Sequence, residues 1–431
     1  MSEIMTYPKM KDSLIKGIGE IPVTWKTTRI HNLFFEVSDK YNEAQDGYLP
    51  LLSVSEYYGV AERSEKIDQD MILVRAATLE GYKKCQEGDI VSNIMLAWKC
   101  ALGRSPKAGL VSPAYCVYRP HKGVNSRYYH YLFRTSCYGD IFRINSSGLI
   151  DSRLRLYSPK FYVIQAPVPS EKEQALIAMY LDSECGKIDA IITEAKRSID
   201  EYKLWKESII YETVTKGLNH NAEMMDTDIF WIGAIPKHWK LEKLKRYTSM
   251  LTPMRDKPEH LDGDIPWIRI EDYEGKYISS SKEGLGVSQE TVTAMNLKVY
   301  PVGTILCTSS CDLGKCAIVA RELVSNQRFI GIIPNDNIYP DYLYYLMLSN
   351  AKRLNYLSTG SIQANLSRVA FEQLLVQVPP FDEQVEIAAF LDEKISLVDA
   401  LINEKANLIS DLESYKKSLI YEVVTGKRKV V

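Results

Sequence analysis

Apolar residues recur at helical spacing in two long segments of the chain. In each segment they follow alternating steps of three and four residues, and the second segment repeats the first 210 residues later. The positions are Cys185, Ile188, Ile192, Ala195, Ile199, Tyr202, Lys206 and Ile209, then Ile395, Val398, Ile402, Lys405, Ile409, Leu412, Lys416 and Leu419. Such steps define a heptad seam, which predicts two long helices that pair with each other. Packing of each helix on its own domain is the alternative.

Residues that typically start or stop a helix mark the ends of these helices. The run from Ser170 to Glu173 has the spacing of a capping box, in which the hydroxyl and the carboxylate each bond a free backbone N–H. This helix is predicted to end at about Lys216, because Gly217 is placed to stop it. Its second copy is predicted over about 382–425.

The chain consists of two copies of one plan. Ile-Gly, Ile-Pro and Trp-Lys pairs within 18–26 recur within 232–240, at a constant offset of 214. Nearer the end of each copy, a second series recurs at an offset of 210. Its members are Glu173-Gln174, Leu181-Asp182, Asp189, Lys206, Ser208, Tyr211-Glu212 and Thr215, matched by Glu383-Gln384, Leu391-Asp392, Asp399, Lys416, Ser418, Tyr421-Glu422 and Thr425. An ordered double series of this kind indicates an internal duplication.

Two stretches between the matching ends, 27–165 and 241–377, resemble each other only faintly. Short β-branched runs such as 304–308 alternate with Tyr/Leu-rich segments near 128–133 and 342–348, which predicts mixed α/β structure. The same scaffold therefore carries two different surfaces.

We predict α/β (α+β) domains in two copies, separated by a long two-helix coiled coil. The predicted parts are 1–165 (first domain with an N-terminal conserved segment), 166–218 (central helix), 219–377 (second domain) and 378–431 (C-terminal helix). The connections allow either helix direction. We favour an antiparallel pair with pseudo-two-fold symmetry, because it presents two similar domains with equivalent faces.

Composition restricts the class of protein. The 431 residues have ordinary apolar and charged fractions, and no run approaches the roughly 20 apolar residues that cross a bilayer, so we expect a cytoplasmic protein. The eight cysteines lack close pairing, and we expect reduced thiols and no metal site. The net charge of -2 gives no global attraction to nucleic acid, so binding to it requires local patches.

Signals of catalysis are missing from the sequence. There is no GxxxxGK[ST] phosphate loop, and the six histidines form no HxxxH pair. Val378-Pro379-Pro380-Phe381 resembles the Asn/Asp-Pro-Pro-Phe/Tyr loop of amino-group methyltransferases, but Val378 cannot hydrogen-bond a target amine. We therefore expect no catalytic residue and no cofactor on this chain.

Basic residues concentrate between Lys99 and Arg155. This stretch contains ten Lys or Arg and only two Asp, which gives a local charge of +8. Such a concentration is what phosphate neutralisation requires, although a solvated charged face is the alternative. The candidate DNA-binding residues here are Lys99, Arg104, Lys107, Ser112, Tyr115, Arg143 and Arg153.

The second variable stretch is nearly balanced in charge, so its candidates lie in polar loops. They are Arg269, Thr308, Ser309, Ser310, Lys315, Asn326, Gln327 and Arg328. Amide and guanidinium groups pair bidentately with adenine or guanine edges, although turn and core roles explain such residues equally well.

Taken together, the doubled motifs resemble the specificity subunit of type I restriction-modification systems. The resemblance covers essentially the whole chain and rests on Ile-Pro-x-x-Trp at 21–25 and 235–239, and on Glu-Gln at 173–174 and 383–384. The Leu-Asp and Tyr-Glu positions of both helices complete it.

The resemblance implies two target recognition domains that each read half of a bipartite asymmetric site in double-stranded DNA. It also implies two modification subunits that use S-adenosylmethionine, and restriction subunits that use ATP and Mg. A stand-alone enzyme, or a coiled-coil adaptor that joins proteins without reading DNA, are the alternatives.

Overall fold

The computed structural model describes residues 5–63, 79–253, 256–310, 313–357 and 366–430. The chain divides into two compact units. Unit 1 combines 1–195 with 407–431, and unit 2 comprises 196–406. Each unit therefore contains a mixed α/β region and a segment of both long helices.

Unit 1 begins with short strands and continues into three short helices. The strands are β1 (Met10–Asp12), β2 (Glu20–Pro22), β3 (Lys26–Arg29), β4 (Phe34–Val37), β5 (Leu52–Ser55), β6 (Gly59–Glu62), β7 (Lys83–Cys85), β8 (Ile90–Asn93), β9 (Leu102–Arg104), β10 (Gly109–Val111), β11 (Tyr115–Pro120) and β12 (Gln165–Val168). The helices are α1 (Ser126–Phe133), α2 (Ser136–Asn145) and α3 (Ser158–Tyr162). An antiparallel sheet has the order β4-β11-β8-β9, and β1–β2, β3–β12, β5–β6 and β7–β10 pair two by two.

The first long helix, α4, extends over Glu171–Lys216, as predicted. The Ser170 hydroxyl accepts a hydrogen bond from the Glu173 N–H at 3.3 Å, which is the first half of the predicted capping box. The Glu173 carboxylate instead accepts from the Tyr7 hydroxyl at 2.5 Å, because the N-terminal segment of unit 1 packs there. Gly217 follows the helix with φ of +73°, a left-handed conformation that favours glycine.

Unit 2 repeats the same succession of elements with additions. Its strands are β13 (Met224–Asp226), β14 (Ala234–Pro236), β15 (Lys240–Lys243), β16 (Thr248–Leu251), β17 (Ile265–Ile268), β18 (Tyr277–Ile278), β19 (Gly286–Val287), β20 (Ile305–Thr308), β21 (Cys316–Val319), β22 (Val324–Ser325), β23 (Phe329–Pro334) and β24 (Leu375–Val378). Its short helices are α5 (Gln289–Ala294), α6 (Pro340–Ser349), α7 (Ala351–Leu357) and α8 (Arg368–Glu372), and the second long helix is α9 (Phe381–Val424).

The strands of unit 2 form a sheet of order β16-β23-β20-β21-β18 and a smaller one of order β19-β17-β22. The pairs β17–β22 and β18–β21 are parallel, whereas the other described pairs are antiparallel. The predicted strand at 304–308 and the helices near 128–133 and 342–348 are present as β20, α1 and α6.

An aromatic core fills unit 1, and the C-terminal end of α9 completes it. Trp25, Tyr128 and Phe133 are fully buried, and Leu419 and Val424 from α9 pack into the same cluster. The Tyr128 hydroxyl donates to the Val424 carbonyl at 2.8 Å, so the last turn of α9 also satisfies a buried polar group. A segment from the far end of the sequence is therefore part of this core.

The C-terminal end of α4 completes the core of unit 2 in the same way. Ile210 and Val214 are buried among Trp239 and the residues of α6. The buried Gln377 side chain donates to the Val214 carbonyl at 2.9 Å.

Within each unit the two long-helix segments run in opposite directions. In unit 2, Lys206 pairs with Asp399 at 2.7 Å, and Gly217 lies beside Glu383 near the start of α9. A later position on α4 thus faces an earlier one on α9. In unit 1, Lys416 pairs with Asp189 at 2.6 Å, and α1 touches both the start of α4 and the end of α9. No described helix has the length and apolar character that crossing a membrane requires.

The packing of α9 against unit 1 predicts that Leu419→Ala destabilises unit 1. Leu419 is buried, so its truncation should lower the free energy of unfolding by about 2–5 kcal/mol. Hydrogen exchange of the α1 amides would report this loss in the N-terminal part of the chain. Leu408→Ala is the matched control, because Leu408 lies on the same helix segment but is exposed, and it should change stability by less than about 0.5 kcal/mol. Equal effects of the two changes would contradict this packing.

Candidate nucleic-acid interface

Three of the candidate cations in unit 1 lie in one surface patch around Trp98. We call Trp98, Lys99, Arg143, Asp151 and Arg153 the Trp98 patch. The Lys99 ammonium and the Arg143 guanidinium each lie 5.4 Å from the centre of the Trp98 ring. Arg143 also binds Asp151 at 2.8 Å, and Arg153 follows in the same 3-10 turn. The patch joins exposed cations to a flat aromatic surface, which suits contact with phosphates and sugars.

Close packing of α2 against a tight turn positions this patch. Trp98 and Lys99 lie in the 3-10 turn Ala97–Lys99, which ends at Cys100 with φ of +60°. A Cβ at Gly139 would lie only 3.2 Å from the Trp98 carbonyl, so glycine lets α2 approach the turn. The Trp98 indole N–H donates to the Met95 carbonyl at 3.2 Å, which fixes the ring.

Three other basic residues of the 99–155 stretch serve the fold. Arg119 binds the buried carboxylate of Asp89 at 2.9 Å, and Arg134 is held by the carbonyls of Ser55, Glu56, Tyr57, Cys100 and Leu102. Arg155 donates to the carbonyls of its own loop. The local charge of +8 therefore overstates what unit 1 offers to DNA, because the sequence does not separate structural cations from surface cations.

The remaining candidates of unit 1 lie apart from the Trp98 patch. Arg104 binds Glu87 at 2.8 Å, and Lys107 binds Glu62 at 2.7 Å. Ser112 is half-buried and caps a turn by accepting from the Ala114 N–H. Tyr115 is half-buried against a small core cluster in β11.

Arg104 lines an open pocket of about 420 Å³ together with Glu87, Arg127, His130 and Asp182. Arg127 forms an ion pair with Asp182, so carboxylates already neutralise both arginines. Burial, reinforced by the nearby Arg134 and Arg104, lowers the pKa of His130 to about 3, and its Nδ1 accepts from the Arg104 N–H. The pocket is therefore a set of paired charges around a neutral histidine.

In unit 2 the candidate residues meet where several strands end. The parallel strands β17 and β22 run into Arg269 and Asn326, and the Asn326 N–H donates to the Ile268 carbonyl at 3.2 Å. Ser309 follows β20, and its N–H donates to the Arg328 carbonyl at 2.8 Å. Residues from three separate stretches thus form one polar edge, which we call the unit 2 edge.

Side chains of the unit 2 edge differ in how far they reach solvent. Gln327, Arg328 and Lys315 are exposed, whereas Ser309, Ser310, Asn326 and Arg269 are half-buried. The Asn326 side chain accepts from the Arg328 N–H, and Arg269 binds Glu283 at 2.9 Å. Thr308 was expected in a polar loop, but it ends β20 with its side chain fully buried in the sheet and therefore offers no surface.

The predicted seam positions alternate with exposed ones along both long helices. Ile188, Ile192 and Val398 are buried. Ile199, Tyr202, Ile402, Ile409 and Leu412 are half-buried.

Sequence reasoning identified the glutamines at the start of the two long helices only as a repeated motif and gave them no role. Gln174 is buried, and its amide accepts from the Asn125 N–H at 2.9 Å and donates to the Pro169 carbonyl at 3.0 Å. The Gln384 amide likewise accepts from the Tyr339 N–H at 2.8 Å and donates to the Pro379 carbonyl at 3.0 Å. The repeated Glu-Gln pair was the available signal, since a buried amide in both copies needs matching partners.

The cysteines of unit 2 are not arranged for metal binding within the described residues. Cys307 and Cys316 face each other across β20 and β21 with their sulfurs 3.1 Å apart, whereas Cys311 lies outside the described residues. In the described ranges, no group of three His, Cys, Asp or Glu side chains could hold a metal ion.

Comparison with known proteins shows that this chain is similar to specificity subunits of type I restriction enzymes. Residues 251–410 match the family described as type I restriction modification DNA specificity domain. The MjaIX specificity subunit of Methanocaldococcus jannaschii is 35% identical over 186 residues, 41% of this chain and 42% of the relative. The match thus spans less than half the length of that relative.

Other specificity subunits match over most of the chain. The EcoKI specificity subunit of Escherichia coli is 22% identical over 88% of this chain and 82% of its own length. The StySPI specificity subunit of Salmonella potsdam is 22% identical over 91% of this chain and 85% of its own length.

Solved structures share the fold. A chain from a structure on the assembly of a type I restriction-modification system superposes with a TM-score of 0.71 at 14% identity, covering 94% of this chain and 98% of that one. The HsdS subunit of Thermoanaerobacter tengcongensis superposes with a TM-score of 0.54 at 13% identity, covering 96% of this chain and 100% of that one. The chain therefore shares the fold of these subunits, and its residues 251–410 match the family described as type I restriction modification DNA specificity domain.

Proposed function

We propose that this chain reads a bipartite asymmetric DNA site, with the Trp98 patch contributing to one half-site and the unit 2 edge to the other. Each surface has the chemistry that this task needs: cations for phosphates in unit 1, and amide, hydroxyl and guanidinium groups for base edges in unit 2. The match of residues 251–410 to the type I restriction modification DNA specificity domain supports the assignment.

The observation that carries this proposal is one framework bearing two different surfaces. Tyr131 donates to Asp182 at 2.6 Å in unit 1, and Tyr345 donates to Asp392 at 2.5 Å in unit 2. The contacts of the two buried glutamines described above repeat likewise. Equivalent frameworks would present equivalent faces, while their unlike residues would read unlike bases.

A second repeated contact supports the same plan. Tyr421 of α9 donates to the Gly17 carbonyl at 3.1 Å, and Tyr211 of α4 donates to the Trp231 carbonyl at 3.3 Å. In both contacts the end of the long helix of one copy binds the N-terminal segment of the other copy. We propose that α4 and α9 form an antiparallel coiled coil with pseudo-two-fold symmetry, consistent with the opposed helix directions in each unit.

The chain would act without a catalytic site of its own. Two modification subunits would carry S-adenosylmethionine and flip the target adenine into their own pockets, and restriction subunits would use ATP and Mg in the cytoplasm. The solved type I assembly supports partners of this kind.

An apolar groove in unit 2 supports protein partners. It is lined by Trp205, Lys394, Leu397, Val398, Ala400, Leu401 and Glu404, with a volume of about 430 Å³. An adaptor that joins proteins without reading DNA is the alternative that such a groove would also serve.

The first test is methylome sequencing of cells that express this chain with its modification subunits. We expect one bipartite motif, and exchange of 241–377 for the corresponding region of a relative should change only one half of it. Exchange of 27–165 is the matched control and should change only the other half. Methylation that does not depend on either exchange would favour the adaptor.

A second prediction separates surface cations from paired ones. Arg153→Ala should reduce the slope of log affinity against log salt by about one, because one phosphate contact is lost. Lys107→Ala should leave the slope unchanged, since Lys107 already binds Glu62. DNA titrations of the complex at several salt concentrations would measure both, and the reverse result would move the interface away from the Trp98 patch.

The third prediction is that the long helices set the spacing between the half-sites. One heptad inserted after Ile199 and another after Ile409 preserve the seam, and each adds roughly 10 Å, about three base pairs. Three base pairs also rotate the groove by roughly 100°, so the original site should be lost or replaced by a longer one. Circular dichroism controls for helix content. Unchanged methylation of the original motif would mean that the helices do not set the distance.

A further inference from the structure

A closed loop that contributes Asp151 and Arg153 to the Trp98 patch also exposes apolar side chains to solvent. We call residues 147–155 the apex loop. Leu149 at its tip is fully exposed and Ile150 is 55% exposed, while Ile144 on the adjoining end of α2 is 69% exposed. Single exposed apolar residues are ordinary, but two at the tip of one loop and a third at the end of the helix that leads into it suggest a contact surface.

The backbone of the apex loop is fixed in the free chain. Ser147 and Arg155 exchange two hydrogen bonds of 2.9 Å, which close the neck of the loop. Gly148 has φ of +145°, and a Cβ there would lie 2.6 Å from the Arg153 carbonyl oxygen, so only glycine fits. Leu154 and Leu156 are buried below the tip. Leu149 is thus presented by a preordered loop and contributes no burial to the fold.

Cations border the tip. Asp151 in the apex loop ties it to Arg143, which in turn covers Trp98 beside Lys99. The guanidinium of Arg153 is exposed and has no ion-pair partner within the described part of the chain. An apolar tip among cations matches a polyanion with an apolar interior, and duplex DNA has this composition because its stacked bases lie between two phosphate chains.

We propose that Leu149 is a wedge that inserts between two base pairs at the half-site read by unit 1. This proposal rests on the proposed function. Apolar side chains inserted in this way partly unstack a base step and kink the duplex, while nearby cations hold the phosphates. Pyrimidine–purine steps unstack most easily, so the wedge selects sequence at a step without hydrogen bonds to its bases.

The test uses the full chain with its modification subunits and a duplex that carries the motif identified by methylome sequencing. Energy transfer between dyes at the duplex ends reports the bend, and titration reports the affinity. We expect Leu149→Ala to reduce the bend and to weaken specific binding about ten-fold. Its salt slope should equal that of the wild type, because no charge is removed. Leu149→Met retains an apolar tip and should keep both the bend and the affinity.

Val163→Ala is the matched control, because Val163 is a 49% exposed apolar residue of the same unit outside the apex loop, and it should change neither readout. An unchanged bend and affinity with Leu149→Ala would overturn the wedge. Weaker assembly of Leu149→Ala with the modification subunits in the absence of DNA would also overturn it, since a protein would then occupy the tip. A wild-type complex that does not discriminate its motif from a scrambled duplex would instead overturn the proposed function itself.

Discussion

Each unit depends on a helical segment that the other half of the sequence supplies. Val424 and Leu419 close the aromatic core of unit 1, and Val214 and Ile210 close the core of unit 2. The backbone carbonyls of Val424 and Val214 also accept hydrogen bonds from the buried side chains of Tyr128 and Gln377. Removal of either segment would leave a cavity in a core and a buried polar group without its hydrogen-bond partner. Both changes lower the free energy of unfolding.

Buried polar contacts then fix the variable region onto this helical base. Gln174 and Gln384 each satisfy a backbone N–H and a proline carbonyl where a long helix begins, and tyrosines bind Asp182 and Asp392 about two turns later. Such contacts tolerate little substitution, because an unpaired amide in the interior is costly. The outer loops carry no such requirement. One framework can therefore bear surfaces as unlike as the Trp98 patch and the unit 2 edge.

The low net charge of the chain means that the proposed DNA recognition depends on local groups of cations. The net charge of -2 gives no attraction to DNA at a distance, and much of the positive charge of the 99–155 stretch is neutralised within unit 1. The edge of unit 2 also carries three cations, Arg269, Lys315 and Arg328, and adds amide and hydroxyl groups to them.

The sequence by itself determined the duplication, the bounds of the long helices and the mixed α/β class, because these follow from local periodicity and from residues that start or stop a helix. Tertiary structure alone decided which cations are free: Arg119 and Lys99 look alike in sequence, but only the fold places Asp89 beside one and an open indole face beside the other. It also buried Thr308, paired Glu173 with Tyr7 and exposed Leu149. Exposure and partnership depend on residues distant in the chain, and no local pattern encodes them.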